Sequence, residues 1–478
     1  MGRRDGPFGP PAPALVAGLR APQATPFSFD LATRMIAPPM SHAMLASGAV
    51  LALTFLGIFT EQLHRIERPK IAATGAVVMI LVGQHLGFYS PMAALEAVDW
   101  NVIFLLAAMM TIVAIMIPTG GFNWVAYKLA AMSRGNLFLT MALTGTAITL
   151  LSLLLDNVTT VVIFGPLLIL IARAQNVSPL PYLMAAALLT DTGGVGTLIG
   201  DPPNIMIGSA ANIDFNTFVL RMGPIVFVAW VSILAALRFL FRKELAVVPA
   251  QAQYELPEIK DKQTWVASLV ILGVMVVLFT IHQRMHWQAW FVGVMGMTAL
   301  IVLSRHLLLE HIMARVEISM MMFFVGLFIV IGGVEQSNLL EYIGHFIEPF
   351  VQRDPLTATI VLLWAGAFLS AVIDNIPFTA AMIPILLGIE QQGVNVTPLW
   401  WGLSMGVGLG GNGTHIGSTA NVFIVTISER LARERNDPSL AITPGVWFKT
   451  GTPAMLVSLI VATILFVVFF GYFARPLH

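Results

Sequence analysis

Long apolar segments recur along nearly the whole chain and constrain its fold more than any other feature. Two examples are residues 102–117 and 456–470. Runs of about 17 to 20 such residues are long enough to cross the hydrocarbon core of a bilayer as helices. Because these runs do not alternate apolar and polar residues, as membrane β-strands do, they predict an all-α polytopic membrane protein.

The composition agrees with a membrane protein and excludes other classes. Of the 478 residues, 57% are hydrophobic and 10% are charged, whereas soluble domains carry about 25% charged residues. The formal net charge is +0, so no basic field indicates a nucleic-acid partner. The absence of cysteine excludes disulfides and thiolate metal sites, and we expect no structural metal.

The beginning of the chain differs from the rest. It is rich in Pro, Ala and Arg, a composition that cannot form a packed core, and it lacks the continuous apolar region of a secretory signal. We therefore predict a disordered tail over residues 1–42, with Met35 and Met40 as alternative start residues.

Two motifs occur twice in the same order. An Asp-Asn pair with a proline ten residues after the Asp is found at 156–166 and again at 374–384, an offset of 218. A glycine-rich segment at 193–204 matches 410–421 at an offset of 217. This indicates an internal duplication, and transporters built from repeats bind their solute where the corresponding broken helices meet.

Cationic residues in the short loops set the predicted orientation, because such residues favour the cytoplasmic side. Counting spans from them, the first half begins outside and the second begins inside, so the halves are inverted. The count works only if the segments around both Asp-Asn pairs are re-entrant hairpins. The residues used are Arg65, Arg68, Lys70, Lys128, Arg134, Arg238, Arg242, Lys243, Lys260, Lys262, Arg305, Arg315, Arg430, Arg433 and Arg435.

The predicted fold therefore has about 10 transmembrane helices, two re-entrant helical hairpins and two broken helices in an inner, or plasma, membrane. Amphipathic surface helices are expected near 124–132 and 339–351. The predicted boundaries are a first inverted repeat at 43–242, with its hairpin at about 136–173 and its broken helix at about 180–212, a cytoplasmic linker at 243–264, and a second repeat at 265–478, with its hairpin at about 355–390 and its broken helix at about 397–429.

Asp156 and Asp374 lie within apolar sequence, where an ionised carboxylate is costly unless it is solvated or paired. One interpretation is that each Asp-Asn pair only caps the helix that follows, since both residues are preferred N-caps. The other is that they bind an ion or solute. The two roles are compatible, because a helix N-terminus inside a cavity also offers free N–H donors.

The glycine motifs predict interruptions in two membrane helices. Glycine makes continuous helix costly, and unwound backbone would expose carbonyls and amides to a solute. The alternative is close helix packing through small residues, which Pro202 and Pro203 make less attractive in the first half. The glycines concerned are Gly193, Gly194, Gly196, Gly200, Gly410, Gly411, Gly413 and Gly417.

The ionisable groups do not follow the repeat. Asp191 and Asp201 correspond to Gly408 and Ser418, and His415 is either a hydrogen-bonded core residue or a proton carrier. Without Lys or Arg in these motifs, the site suits a cation, a neutral solute or a proton. Predicted substrate or ion ligands are Asp156, Asn157, Thr159, Gly194, Gly196, Thr197, Asp201, Asn204, Asp374, Asn375, Thr379, Gly411, Asn412, Gly413, Thr414 and Asn421. Predicted proton-coupling residues are Asp156, Asp191, Asp201, Asp374 and His415.

These motifs resemble the ion transporter superfamily, in particular its arsenical-pump, NhaD-type antiporter and melanosomal P-protein branch, from about Met44 to the C-terminus. The resemblance implies a scaffold domain, a mobile transport domain, alternating access and frequently a homodimer. For an arsenite pump it also implies association with an energising ATPase. In the dicarboxylate branch a Ser-Asn-Thr pattern occupies the hairpin tips, whereas Asp156 and Asp374 replace the Ser here.

Our first choice of function is proton-coupled efflux of arsenite or antimonite, which are small inorganic solutes. The runner-up is sodium/proton exchange, and dicarboxylate or citrate symport is third. No cofactor is expected beyond the coupling ion, a proton or sodium. An intramembrane aspartyl protease is disfavoured, because the expected Gly-x-Gly-Asp has Leu at position 198 before Gly200 and Asp201. We therefore predict a secondary transporter and not an enzyme.

Overall fold

The computed structural model describes residues 40–249, 256–304, 307–373 and 375–477. The predicted tail lies almost wholly outside the described residues, as does Asp374. Within these ranges the chain is helical and contains no strand. The helices of nine or more residues are α1 (His42–Phe59), α2 (Arg68–Leu86), α3 (Trp100–Met116), α4 (Gly121–Met132), α5 (Leu137–Ser152), α6 (Asn157–Ala174), α7 (Leu180–Gly194), α8 (Pro202–Ala210), α9 (Phe215–Leu240), α10 (Lys262–Ile281), α11 (Ala289–Leu303), α12 (Ile318–Gln336), α13 (Leu339–Arg353), α14 (Pro355–Val372), α15 (Asn375–Gln391), α16 (Thr397–Gly410), α17 (Thr419–Arg435) and α18 (Pro444–Val468).

Nine helical segments in the described part of the chain are long and apolar enough to cross a membrane. They contain α1, α2, α3, α6, α9, α10, α12, α14 and α18. Two other apolar helices, α5 and α11, are shorter. The prediction of an all-α, multi-pass membrane protein is confirmed.

The two halves contain the same series of helices, and helices of one half pack on helices of the other. Helix α2 of the first half packs on α12 of the second, and α11 of the second packs on α3 of the first. Each hairpin also contacts a helix that follows the break in the other half, because α8 packs on α15 and α17 packs on α6. Each half therefore supplies part of the other half's core, and the site between them is built jointly.

Hydrogen bonds join loops that are distant in sequence. Asp261 N donates to Thr119 O at 3.3 Å. Asn395 Nδ2 donates to Ala474 O at 2.7 Å. The inversion of the halves across a membrane, the assignment of the cytoplasmic face and the domain boundaries stay predictions.

The helices expected on the surface lie beside the hairpins. Helix α4 packs on both helices of the first hairpin, α5 and α6, and α13 packs on α14 and α15 of the second. Gly121 at the start of α4 faces the ring of Trp265, and Phe122 meets the same ring edge-on at 5.0 Å between ring centroids. These helices support the hairpins from outside the site.

Candidate functional site

The tip of the first hairpin lies between α5 and α6. Asp156 is the N-cap of α6: its Oδ1 accepts a hydrogen bond from Thr159 N at 2.8 Å, and its Oδ2 accepts one from Thr159 Oγ1 at 2.5 Å. Asn157 is buried, and Ser152 Oγ lies 2.7 Å from both Asn157 Oδ1 and Thr190 O. The capping role considered for Asp156 is present, and the tip is bonded to α7.

The first break joins α7 to α8 through irregular residues 195–201. Asn204 spans it, because its Nδ2 donates to Gly194 O at 2.9 Å and to Thr197 O at 3.0 Å. Thr197 Oγ1 donates to Leu153 O in the hairpin tip. The unwound backbone is therefore held by one amide side chain and fastened to the hairpin.

The second break repeats this network. Asn421 Nδ2 donates to Gly411 O at 2.9 Å and to Thr414 O at 3.3 Å, and Thr414 Oγ1 donates to Ala371 O. Ser370 Oγ donates to Val407 O at 2.7 Å, as Ser152 does to Thr190 in the first half. Both helix breaks predicted from the glycine motifs are present.

The glycines in the breaks are needed because they lack a side chain. None of the eight motif glycines has a positive φ. A Cβ on Gly200 would lie 2.6 Å from Ser152 O, and one on Gly417 would lie 2.5 Å from Gly411 O. A Cβ on Gly194 would lie 2.5 Å from the side chain of Asn157, and one on Gly196 would lie 2.6 Å from that of Leu153. The break and the close packing, which the sequence left as alternatives, occur together.

The two aspartates without a counterpart in the repeat make contacts between the halves. Asp201 Oδ2 accepts a hydrogen bond from Asn375 Nδ2 in the second hairpin at 3.2 Å. Asp191 Oδ1 accepts one from Ser418 Oγ at the second break at 3.1 Å. Both carboxylates are buried, with residue exposures of 5% and 1%. The two aspartates that break the repeat in sequence therefore form contacts between the halves that the repeat does not duplicate.

Asn412 is a fully buried member of the predicted ligand set. Its Nδ2 donates to Leu188 O at 3.2 Å and to Thr192 Oγ1 at 3.3 Å, and its backbone O accepts from Trp447 Nε1 at 3.0 Å. The neighbouring Gly413 O accepts from Thr452 Oγ1 at 2.6 Å. The backbone carbonyls of this turn are therefore already engaged, so its side chain is the group left for a ligand.

Two further predicted residues are placed differently. Thr379 is buried and its Oγ1 donates to Asn375 O at 2.8 Å in its own helix. His415 is half-buried, and its Nδ1 has no hydrogen-bond partner among the described residues. The Thr379 hydroxyl is thus engaged by its own helix, whereas His415 Nδ1 has no partner in the described part of the chain.

The serines that join these elements were not among the predicted site residues. Ser152 and Ser370 stand 218 residues apart, so the repeat itself contained the signal. Ser404 Oγ donates to Asn204 Oδ1 at 2.7 Å across the two halves. Its counterpart at an offset of 217 is Ala187, so the repeat gives no signal for it.

We expect Ser404→Ala to lower the free energy of unfolding by about 1–2 kcal/mol, because it leaves the buried Asn204 Oδ1 without a donor. Thermal unfolding of the purified protein measures this. Ser458→Ala is the matched control, since Ser458 is equally buried and bonds only Met455 O of its own helix. Equal melting temperatures for the two variants would contradict the prediction.

Helical hairpins and broken helices that meet at a buried polar junction within a multi-pass membrane protein define a membrane transporter. Residues 54–406 match the family model described as CitMHS, citrate transporter. The chain belongs to this family.

Individual relatives agree with this assignment. The chain is 33% identical to a 46 kDa membrane protein of Mycobacterium leprae, over 76% of this chain and 87% of that protein. It is 26% identical to the P protein of Homo sapiens, over 92% of this chain and 62% of that protein. These matches confirm the resemblance to the P-protein branch of the ion transporter superfamily.

A solved structure supports the fold. The YdaH transporter of Alcanivorax borkumensis aligns with 90% of this chain and 99% of its own, with a TM-score of 0.58 and 14% sequence identity. At that identity the likeness concerns the fold alone.

Proposed function

We propose that this chain is a secondary transporter that binds its solute between the hairpin tips and the helix breaks and works by alternating access. One observation carries the proposal. Buried carboxylates and amides of both halves converge at the breaks, while the hairpin tips and both glycine motifs contain no Lys or Arg. Such a site favours a neutral or cationic solute over a free anion.

Arsenite or antimonite remains the first candidate, carried outward in exchange for protons. At neutral pH each is largely an uncharged trihydroxide, which can donate hydrogen bonds to carboxylate and amide oxygens. Asp156 and Asn157 supply such oxygens, and no thiol is required. The returning proton would be carried by a site aspartate or by His415, whose Nδ1 has no partner within the described ranges.

Citrate is the second candidate, and the description of the family model favours it. A citrate trianion would be repelled by Asp156, Asp191 and Asp201 unless it arrived with a cation. We therefore expect citrate transport, if present, to depend on a metal ion in the medium. Sodium/proton exchange needs no organic solute and is the third candidate, since carboxylates and backbone carbonyls also suit a hard cation.

Transport by everted vesicles from cells without an arsenite pump tests these candidates. With a proton gradient we expect arsenite to accumulate in vesicles that contain the wild-type chain, and not in empty vesicles. Collapse of the gradient by sodium without arsenite accumulation would replace the first candidate by sodium/proton exchange. Citrate movement that requires a metal ion would favour the second. If none of the three occurs, the proposed substrates are wrong.

The assembly and location of the transporter are also proposals. We propose a homodimer in the plasma membrane and, if arsenite is the substrate, association with an energising ATPase. The apolar segments are consistent with direct contact with the lipid bilayer.

A further inference from the structure

One face of α7 crosses the boundary between the halves and packs on the second break. Leu188, Asp191 and Thr192 are spaced as neighbours on one helix face. Their partners are Asn412, whose Nδ2 bonds Leu188 O and Thr192 Oγ1, and Ser418, whose Oγ bonds Asp191 Oδ1. This junction lies beside the second break and uses the helix face of α7 instead of a hairpin tip.

Two amide oxygens in this region have no donor. Asn412 and Asn421 are both 0% exposed, and neither Oδ1 has a hydrogen-bond partner in the part of the chain that the structure describes. Both Nδ2 atoms are engaged with acceptors, which fixes the direction of the oxygens. Buried acceptors without a donor are costly and indicate that a ligand or water binds there.

The corresponding place in the first half is closed. There Asn204 Oδ1 accepts from Ser404 Oγ at 2.7 Å. The repeat puts Ala187 opposite Asn421, one helical turn before Asp191, and it puts Gly408 where the other half has Asp191. Compared with the first break, the second break therefore faces a carboxylate at position 191 and lacks a hydroxyl donor at position 187.

We propose that this junction binds one dehydrated sodium ion, with the Asp191 carboxylate and the Oδ1 atoms of Asn412 and Asn421 as ligands. Oxygen ligands select a hard cation, and a single carboxylate matches a single charge. Ser418 orients Asp191, and Gly411 lets the carboxylate approach the backbone, since a Cβ there would lie 3.3 Å from Asp191 Oδ2. As the site of a coupling ion, it rests on the proposed function.

The test is thermal unfolding of the purified full-length chain as sodium chloride replaces choline chloride at constant ionic strength. We expect a saturable rise in melting temperature with sodium, because an ion that binds only the folded state stabilises it. Asp191→Asn should weaken the sodium response by about tenfold or more. Glu67→Gln removes a carboxylate from the exposed Glu67–Lys70 pair and should keep the full response.

Ala187→Ser keeps the test valid if Asp191→Asn fails to fold. The new hydroxyl can donate to Asn421 Oδ1, as Ser404 does to Asn204, so the melting temperature without sodium should rise while sodium affinity falls by about tenfold. A sodium response equal to wild type in both variants would overturn the site. If sodium does not raise the melting temperature of the wild-type chain, the sodium site is wrong and water occupies the junction.

The binding test is independent of the substrate. Sodium stabilisation without movement of arsenite, sodium or citrate in vesicles would refute the proposed function and keep the site. Transport by a chain that sodium does not stabilise would refute the site and keep the function.

Discussion

Asp156→Asn is expected to abolish solute transport in vesicles while the protein stays folded. Asparagine is as good an N-cap as aspartate, so its Oδ1 can keep the 2.8 Å hydrogen bond from Thr159 N. The charge of the hairpin tip is lost, and the hydrogen bond with Thr159 Oγ1 must reverse, so that the hydroxyl accepts from the new Nδ2. We expect transport to fall about a hundredfold or more, which corresponds to about 2.7 kcal/mol in the barrier.

Asp354→Asn is a matched control within the same chain. Asp354 caps α14 with the same arrangement, accepting from Thr357 N at 3.0 Å and from Thr357 Oγ1 at 2.6 Å. It is exposed at the start of its hairpin, far along the helix from the tip. The control should transport at the wild-type rate and melt at the wild-type temperature.

Asp374→Asn is expected to behave like Asp156→Asn, because the repeat makes the two positions equivalent. This expectation comes from the sequence, since Asp374 lies outside the described residues. Wild-type transport by both variants would reduce the two aspartates to helix caps. Loss of transport together with loss of folding would leave Asp156→Asn uninformative about charge, and the melting temperature decides between these outcomes.

The elements that form the site could be predicted because their signals are local. Apolar length gives membrane helices, and the glycine motifs give the breaks after Gly194 and Gly410. The duplication then pairs each break with a hairpin. The sequence could not show whether a side chain bonds within its own half or to the other half. Asp191 bonds Ser418 because α7 packs on α17 of the other half, and no local spacing specifies that exchange.

The glycines show a different limit. Their low helix propensity predicted the breaks correctly. The structure adds a second reason: backbone atoms lie so close to these glycines that a Cβ on them would clash. Such contact depends on where Ser152 O and Ala371 O come to lie. Serines such as Ser404 were missed because a serine in an apolar helix is ordinary, and its partner is 200 residues away in sequence.

Gly200→Ala and Gly417→Ala are expected to lower the free energy of unfolding and to stop transport. A Cβ on Gly200 would lie 2.6 Å from Ser152 O and 2.7 Å from Gly194 O, and one on Gly417 would lie 2.5 Å from Gly411 O. All three obstacles are backbone carbonyls, which cannot rotate away as a side chain can. Overpacking of this kind costs about 1–3 kcal/mol.

Transport should suffer more than stability, because relief of each clash moves a break away from its hairpin. The backbone would have to shift at Ser152 in the first half and within the turn spanned by Asn421 in the second. Those are the segments that hold the candidate ligands. A shift of about 1 Å at a binding site can cost about a hundredfold in rate, even where the fold survives.

Gly273→Ala separates this effect from a general intolerance of alanine. Gly273 lies within α10, where a Cβ would meet nothing within 4 Å. Alanine there should stabilise the helix by about 0.5–1 kcal/mol and leave transport unchanged. Thermal unfolding and vesicle transport of the three variants provide the comparison. If Gly200→Ala melts and transports like Gly273→Ala, the break tolerates a side chain, and the close approach of the hairpin is not what fixes the site.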